Sequence, residues 1–489
     1  MKEGGIEKRR RRESIVLRRN LKRIGRRERN SLPGFSDLVP RNRRLSGGFA
    51  RPDDRVGGSR DRNTRGRTAK ARSHAEEQRD QPGCRSNLHL ERVWHVDRVK
   101  WSLVLLAAIL FLGILSMWVP ARWALSAFQI AVFALAAARI VRRKSLTIHP
   151  TAVLLALAVV WGLVQAYTGW SVDRYKTFNE VLNWTTILAV FSLGLELGGN
   201  KQSRERFLSW LLWFGTALAA VSMLTVFSSP EGVVFWLFHA GSDRRTLGPF
   251  VYYNQYAAFI EAVLPLALVR AILDPGRRML YSVIGALLLA SVVAGGSRAG
   301  TILCLAEVFV IPLVALAQGV ISRRVVGRVL LASVCTLAVL GAVAGWDVIW
   351  KRLQEPNPYA VRKDFLLSSL AMIQDRPLTG FGLGTWSEVY PGFARFDDGL
   401  FANQAHNDWV QWAAEGGIPF FLLMVGVLAG AVRPAFRSLW GVGLLAVFVH
   451  CSIDYPMQQR PALAAFFFAL LGIAIACGDH PRIRRADGP

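Results

Sequence analysis

Residues 101–119 read WSLVLLAAILFLGILSMWV, a run without a single charged side chain. Coiled as an α-helix, a run of this length extends about 28 Å, close to the thickness of the hydrocarbon core of a bilayer. Similar runs of about 18 to 22 residues recur down to Cys477, separated by short polar breaks. The pattern predicts an all-α integral membrane protein and excludes a soluble globular enzyme.

The sequence predicts about 12 transmembrane helices in a membrane domain at 101–477. The candidate spans are 102–119, 123–141, 150–168, 181–199, 207–227, 255–273, 279–296, 299–318, 329–345, 409–430, 438–453 and 461–477. The longest break, 346–408, is a large polar loop between the ninth and tenth spans. Residues 478–489 form a short tail after the last span.

Residues 1–100 have a different composition, since they carry 29 basic and 13 acidic residues and almost no apolar periodicity. The stretch KRRRRESIVLRRNLKRIGRRERN at 8–30 is typical. Such a segment cannot bury enough apolar surface to offset its ordering entropy, which predicts a disordered cytoplasmic extension. It could bind anionic lipid, or be a solvated tail or sequence upstream of the true start. Its aromatic residues are only Phe35, Phe49 and Trp94, too few to stack bases, so no nucleic acid is expected.

The distribution of basic residues orients the spans. If the extension lies inside, the connections and span ends on that side hold 18 of the 31 basic residues after residue 100. Six of the remaining 13 lie in the long segment 346–408. Because basic residues favour the cytoplasmic side, both termini are expected in the cytoplasm and the large loop on the periplasmic face.

Several polar residues that could take part in a reaction lie on the same side of the membrane as that loop. Arg298 stands in GGSRAG (295–300), where a cation close to the hydrocarbon is costly without a function. Arg362 opens RKDFLLSSLAMI (362–373), whose Phe365, Leu366, Leu370 and Ile373 predict an amphipathic helix lying on the membrane.

His406 lies where the loop re-enters the membrane, in QAHNDWVQWAAEGGIP (404–419). Asn407 and Asp408 follow it, and Glu415 comes about two turns later inside the tenth span. The glycine-rich segment GFGLGTW (380–386) lies just upstream. The combination favours a functional site, in which Glu415 either orients His406 or stabilises the span.

Two further patterns have structural interpretations. His450 and Asp454 are spaced to share one helical face, which predicts a structural hydrogen bond between them. The intramembrane acidic residues Glu196, Glu261, Glu307 and Glu415 are scattered, and the two halves of the domain do not echo each other. A transporter, the alternative from another class, would be expected to carry midspan charges and an inverted repeat.

No nucleotide or metal motif occurs, since the chain lacks HExxH, a P-loop and DxD, and neither cofactor nor metal is expected. Against this background, five blocks in order resemble the O-antigen ligase and O-antigen polymerase family of bacterial membrane glycosyltransferases. They are LGPFVYYNQYAAFIEAVLPLAL (247–268), GGSRAG (295–300), RKDFLLSSLAMIQDRPLTGFGLGTW (362–386), HNDWVQWAAEGGIPFFLLMVGVLAG (406–430) and HCSIDYPMQQRPALAAFFFALLGI (450–473).

The resemblance implies a GT-C-like fold in the bacterial inner membrane and a metal-independent, inverting glycosyl transfer at the periplasmic face. The donor would be a glycan on undecaprenyl diphosphate, with Arg298 and Arg362 on the diphosphate and His406 as the base. Asn254, Asn407 and Glu415 would belong to the substrate-binding residues. The sequence departs from the family at FVYYNQY (250–256), where smaller residues are common before Asn254.

The resemblance leaves the acceptor open. It would be lipid A core for a ligase, another lipid-linked glycan for a polymerase, and a protein hydroxyl for an oligosaccharyltransferase. The single large loop between the ninth and tenth spans favours the ligase, by analogy only.

Overall fold

A computed structural model describes residues 101–142, 148–241, 245–331, 360–395, 399 and 401–478. All of them lie in the unit Val99–Pro489. The basic extension, the tail after residue 478 and most of the ninth predicted span lie outside the described residues. The predictions for those segments therefore stay predictions.

The described part is all-α except for one short hairpin. Its first helices are α1 (Trp101–Leu115), α2 (Arg122–Arg142), α3 (Pro150–Tyr167), α4 (Arg174–Gly198) and α5 (Lys201–Ser228). The hairpin pairs β1 (Val233–Val234) with β2 (Phe238–His239) in antiparallel fashion. The later helices are α6 (Tyr253–Leu273), α7 (Arg278–Gly295), α8 (Arg298–Ala317), α9 (Ala360–Asp375), α10 (Trp386–Val389), α11 (Asp408–Ser438), α12 (Val442–His450) and α13 (Pro461–Gly478).

The prediction of an apolar helical membrane protein is confirmed in this part of the chain. Eight described helices are long and apolar enough to cross a membrane, and Trp101–Leu115 and Pro461–Cys477 are shorter apolar helices. The count of twelve spans is not confirmed. The eleventh predicted span, 438–453, contains only the nine-residue α12, which would extend about 14 Å.

Helices α4, α6 and α13 form the core of the bundle. Small residues let α13 lie against α4, since a Cβ at Gly194 would collide with the backbone oxygen of Ala469, and one at Gly472 with that of Phe191. Membrane helices often associate through such small residues, because lipid provides no hydrophobic drive between helices. The close contact fixes the end of the chain in the bundle and with it the polar segment 451–460 that precedes α13.

Helix α11 is broken inside the bundle. Gly417 has φ 70° and ψ −180°, and Pro419 follows two residues later. The break frees backbone carbonyls, which other segments satisfy: Trp161 donates to the oxygen of Gly416 at 2.8 Å, and Gly382 donates to that of Glu415 at 2.9 Å. Segment 376–386 is thereby attached to α11.

Helix α9 is the helix predicted after Arg362, and one of its faces is buried in the protein. The buried residues are Phe365, Ser368, Ser369 and Met372, whereas Leu370 is 41% exposed. Trp386 fills the space beside this face and donates its indole N–H to Ser369 Oγ at 2.9 Å. This face therefore packs against protein, and the contact of the exposed Leu370 with the membrane stays a prediction.

Candidate functional site

His406 stands immediately before helix α11 in an unusual backbone conformation. Its φ is 54°, in the left-handed region that costs energy for a residue with a side chain. Asn407 caps the helix, because its Oδ1 accepts from the backbone N–H of Val410 at 3.1 Å. The backbone N–H of Asp408 donates to the oxygen of Cys451 at 2.8 Å. These bonds place His406 beside the polar segment that follows α12.

Asp454 in that segment is the centre of the site. Its Oδ2 accepts from Arg362 Nη2 at 2.9 Å, from the hydroxyl of Tyr252 at 2.8 Å, and from Asn254 Nδ2. Its Oδ1 lies 3.4 Å from His406 Nδ1, at the long end of hydrogen-bonding distance. Asp454 is fully buried, so its charge depends on these partners. One carboxylate thus joins residues from three distant parts of the chain.

The partners keep Asp454 ionised. Burial raises the pKa of Asp454, but the hydrogen bond and charge of His406, and the charges of Arg362 and His450, outweigh burial and hold it below its ordinary value. The carboxylate therefore persists when the pH falls through the ordinary aspartate range. Burial and the negative charge of Asp454 raise the pKa of Tyr252, which keeps its hydroxyl a donor. Burial lowers the pKa of Arg362, but the negative charge of Asp454 together with Tyr252 and Tyr253 outweighs burial and raises it.

Aromatic rings hold His406 in place. Its ring stacks on Phe365, with centroids 5.7 Å apart and an interplanar angle of 17°. Tyr455 meets it edge-on at 4.6 Å, and Tyr252 does so at 6.4 Å. The side chain is still 23% exposed. Because Nδ1 faces Asp454, Nε2 is the ring nitrogen left for a substrate.

Arg298 is linked to this centre through its neighbour in the chain. Ser297 Oγ donates to Asn254 Oδ1 at 2.7 Å, and Asn254 donates to Asp454. The same Oγ accepts from the backbone N–H of Gly300 at 3.1 Å and so caps α8. Arg298 is the first residue of that helix and is partly exposed. The structure therefore brings the start of α8 to the network of Asp454, although the predicted role of Arg298 is not tested by this.

Glu415 uses its carboxylate for bonds within the protein, and its predicted contact with substrate stays a prediction. It is buried, and its carboxylate accepts from the backbone N–H groups of Gly384 at 2.9 Å and Trp386 at 3.1 Å. Gln411 Nε2 also donates to it at 3.0 Å. Glu415 thus secures the GFGLGTW segment to α11. The second interpretation from the sequence, stabilisation of the span, describes these contacts, and no described bond joins Glu415 to His406.

Asn254 and Asn407 likewise use their amide groups within the protein. Asn254 is buried between Asp454, Tyr252 and Ser297. Asn407 Nδ2 donates to the backbone oxygen of Ser452 at 2.9 Å. Both residues position the site in this structure, and their predicted contact with substrate stays a prediction.

The predicted side-chain bond between His450 and Asp454 is wrong. His450 Nδ1 lies 2.7 Å from Glu261 Oε1, while Asp454 turns towards Arg362 and His406. Glu261, one of the acidic residues that are scattered along the sequence, is thus the partner of His450. Helical spacing alone could not assign these partners, since they come from other helices.

Sequence reasoning missed Tyr252 as a site residue and undervalued Asp454. A signal was present, because the span count places both residues on the side of the membrane that holds His406 and Arg362. Among the residues that the structure describes, no group of three or more His, Cys, Asp or Glu side chains could hold a metal ion.

The comparison with protein families bears on these residues. A family model described as O-antigen ligase matches residues 283–425. The predicted resemblance is confirmed. No curated protein matched the chain significantly. The O-antigen ligase match includes Arg298, Arg362 and His406, and it ends before Asp454.

The family and the apolar helices together indicate a bacterial membrane protein with glycosyl transfer of the O-antigen ligase and polymerase type. The O-antigen ligase family implies, in general, glycan and lipid-linked substrates.

Proposed function

We propose that this protein transfers a glycan from undecaprenyl diphosphate to a hydroxyl of lipid A core at the periplasmic face of the inner membrane. The observation that carries the proposal is the convergence of His406 and Arg362 on the buried carboxylate of Asp454. This arrangement combines a proton acceptor, a cation for phosphate and an anion that orients both. The reaction needs these three elements and no nucleotide sugar.

His406 acts as the general base. Asp454 holds the Nδ1 proton, which leaves the lone pair on Nε2 for the acceptor hydroxyl. As the acceptor oxygen bonds to the anomeric carbon, its proton moves to Nε2 and the bond from that carbon to the diphosphate oxygen breaks. The electron pair leaves with the diphosphate. Attack from the opposite side inverts the anomeric centre, and proton removal contributes about 10²- to 10⁴-fold in rate.

Arg362 and Arg298 stabilise the leaving diphosphate. A guanidinium has five N–H donors in a planar fork, so Arg362 can bind Asp454 and still offer donors to phosphate oxygens. Arg298 begins helix α8, whose first backbone N–H groups and dipole also favour an anion. The negative charge that grows on the leaving group thus meets two fixed cations, which is how the reaction proceeds without a metal.

The identity of the acceptor distinguishes an O-antigen ligase from two related transferases. The same site could serve an O-antigen polymerase or a protein O-oligosaccharyltransferase, because the chemistry at the donor is identical. A polytopic transporter is the alternative from another class. The buried contact between Glu261 and His450 inside the bundle is the observation that supports it.

The test is transfer by the purified full-length protein in detergent with EDTA present. Undecaprenyl-diphosphate glycan is supplied with lipid A core, without added acceptor, or with an acceptor protein. Glycan on the core in the presence of EDTA is the expected result. Longer lipid-linked chains without core would replace the ligase with a polymerase, and labelled protein with an oligosaccharyltransferase. No product in any arm would contradict a transferase.

A further inference from the structure

Three ionisable side chains from three helices are buried together inside the bundle. Glu261 lies on α6, Glu307 on α8 and His450 at the end of α12, and all three are buried. His450 Nδ1 lies 2.7 Å from Glu261 Oε1. The charges of Glu307 and Glu261 lie close enough to interact. We call these residues the buried triad, and its members do not belong to the site around His406.

The buried triad contains polar atoms without a partner. Glu261 Oε2, both carboxylate oxygens of Glu307 and His450 Nε2 are buried and bond to no residue that the structure describes. An ionised carboxylate in such a position costs several kcal/mol or more, whereas a protonated one is neutral. Glu307 therefore has a strong reason to carry a proton. Glu261 and His450 can share another proton along their 2.7 Å contact.

The backbone increases the polarity around Glu261. Pro265 lies four residues further along α6 and has no N–H, so the backbone oxygen of Glu261 lacks its helical donor. Gly443 of α12 lies so close to this oxygen that a Cβ at that position would collide with it. The close approach of α12 and α6 is therefore centred on Glu261. It also fixes the helix that carries His450.

The buried triad is connected to the centre of the site. Asp454 follows His450 by one turn, and its backbone N–H donates to the oxygen of His450 at 2.9 Å. The charges of Asp454 and Arg362 both act on His450. From the site inwards, the groups follow the order Arg362, Asp454, His450, Glu261 and Glu307, so positive and negative partners alternate along the first four.

We propose that Glu307, Glu261 and His450 form a buried proton-binding site. Two protons, one on Glu307 and one shared by Glu261 and His450, make the triad neutral. Proton binding does not rest on the proposed function.

Other titratable groups face the triad and must be considered in a pH titration. The charges of Asp454 and Arg362 act on His450. The charges of Glu307 and Glu261 act on Cys304 of α8. Cys451 follows α12, and the charges of Asp408 and Glu261 act on its thiol. The experiment therefore compares single variants of the triad and does not assign a titration from the wild type alone.

Infrared difference spectra of the purified full-length protein test the proton on Glu307. A protonated carboxyl gives a C=O band that shifts in D₂O, and Glu307→Gln should remove part of this band. Glu196→Gln is the matched control, because Glu196 is paired with Arg139 and should contribute no such band. An unchanged band in a folded Glu307→Gln protein would overturn the proposal. If that variant does not fold, Glu307→Asp provides the test. The C=O band of the protonated carboxyl should then shift in frequency, and an unshifted band would overturn the proposal.

Discussion

Asp454 unites side chains from three separate segments through its two carboxylate oxygens. Tyr252 and Asn254 approach from the start of α6, Arg362 from α9, and His406 from the residues before α11. A buried carboxylate with this many donors fixes the geometry of the groups around it. The position of each of these side chains therefore depends on Asp454.

Replacing Asp454 by Asn should stop transfer without removing the fold. The amide keeps the shape, but it loses the charge that pairs with Arg362 and faces His406 Nδ1 at 3.4 Å. We expect the rate of transfer to fall by about a hundredfold or more, as for loss of a general base. Initial rates at equal membrane levels measure this, with the exposed Asp375→Asn as control. Rates within a few-fold of the wild type would remove Asp454 from the mechanism.

Arg298 is expected to need its guanidinium and not only a positive charge. Arg298→Lys loses the planar fork that binds two phosphate oxygens, so transfer should fall by about tenfold to a hundredfold, the cost of a lost charge-assisted hydrogen bond. Arg433→Lys, at an exposed position, serves as the control and should keep wild-type activity. Equal rates for the two variants would exclude a phosphate contact by Arg298.

At the scale of elements, the break in α11 is what organises the loop. Gly380 has φ 61°, and a Cβ there would collide with the backbone oxygen of Glu415. Glu415 accepts in turn from the backbone of the same segment at Gly384 and Trp386. The broken helix and segment 376–386 therefore form one packed unit, next to the helix that carries Arg362.

Gly380→Ala should loosen this unit. The left-handed conformation alone costs about 1 to 3 kcal/mol for a residue with a Cβ, and the collision with α11 adds to that. We expect a lower unfolding temperature in detergent and a matching loss of transfer. Gly392→Ala is the control, since a Cβ there would meet nothing within 4 Å. An unchanged unfolding temperature for Gly380→Ala would show that the segment is not packed as described.

The elements also show what a sequence can and cannot predict. Long apolar runs predicted helices such as α2, α3 and α8 within a few residues, because length and hydropathy determine them locally. The short α12 and the break at Gly417 were not predicted, since both depend on contacts with α6 and with segment 376–386. The packing of α9 against Trp386 could not be predicted for the same reason.

The site follows the same division. His406, Arg362 and Arg298 were identified because their residue types are unusual beside apolar spans. The partners of His450 and the role of Glu415 could not be predicted, since they depend on which helices pack together. Asp454 lies between these cases, as its side of the membrane was predictable and its contacts were not.

At the scale of the whole molecule, the basic extension is expected to be dispensable. Its composition predicts no core of its own. A protein starting near Val93 should insert into the membrane and transfer glycan at the wild-type rate. Membrane level and transfer are measured on the same preparation. Normal insertion with lost transfer would show that the extension takes part in the reaction.

The central claim is that His406 removes the acceptor proton during transfer from a lipid diphosphate. The most direct measurement is the initial rate of transfer by purified wild type, His406→Ala and the exposed control His239→Ala, at equal amounts of folded protein. The account predicts that His406→Ala falls by about 10²- to 10⁴-fold while the control keeps the wild-type rate. Near-normal transfer by folded His406→Ala would contradict it.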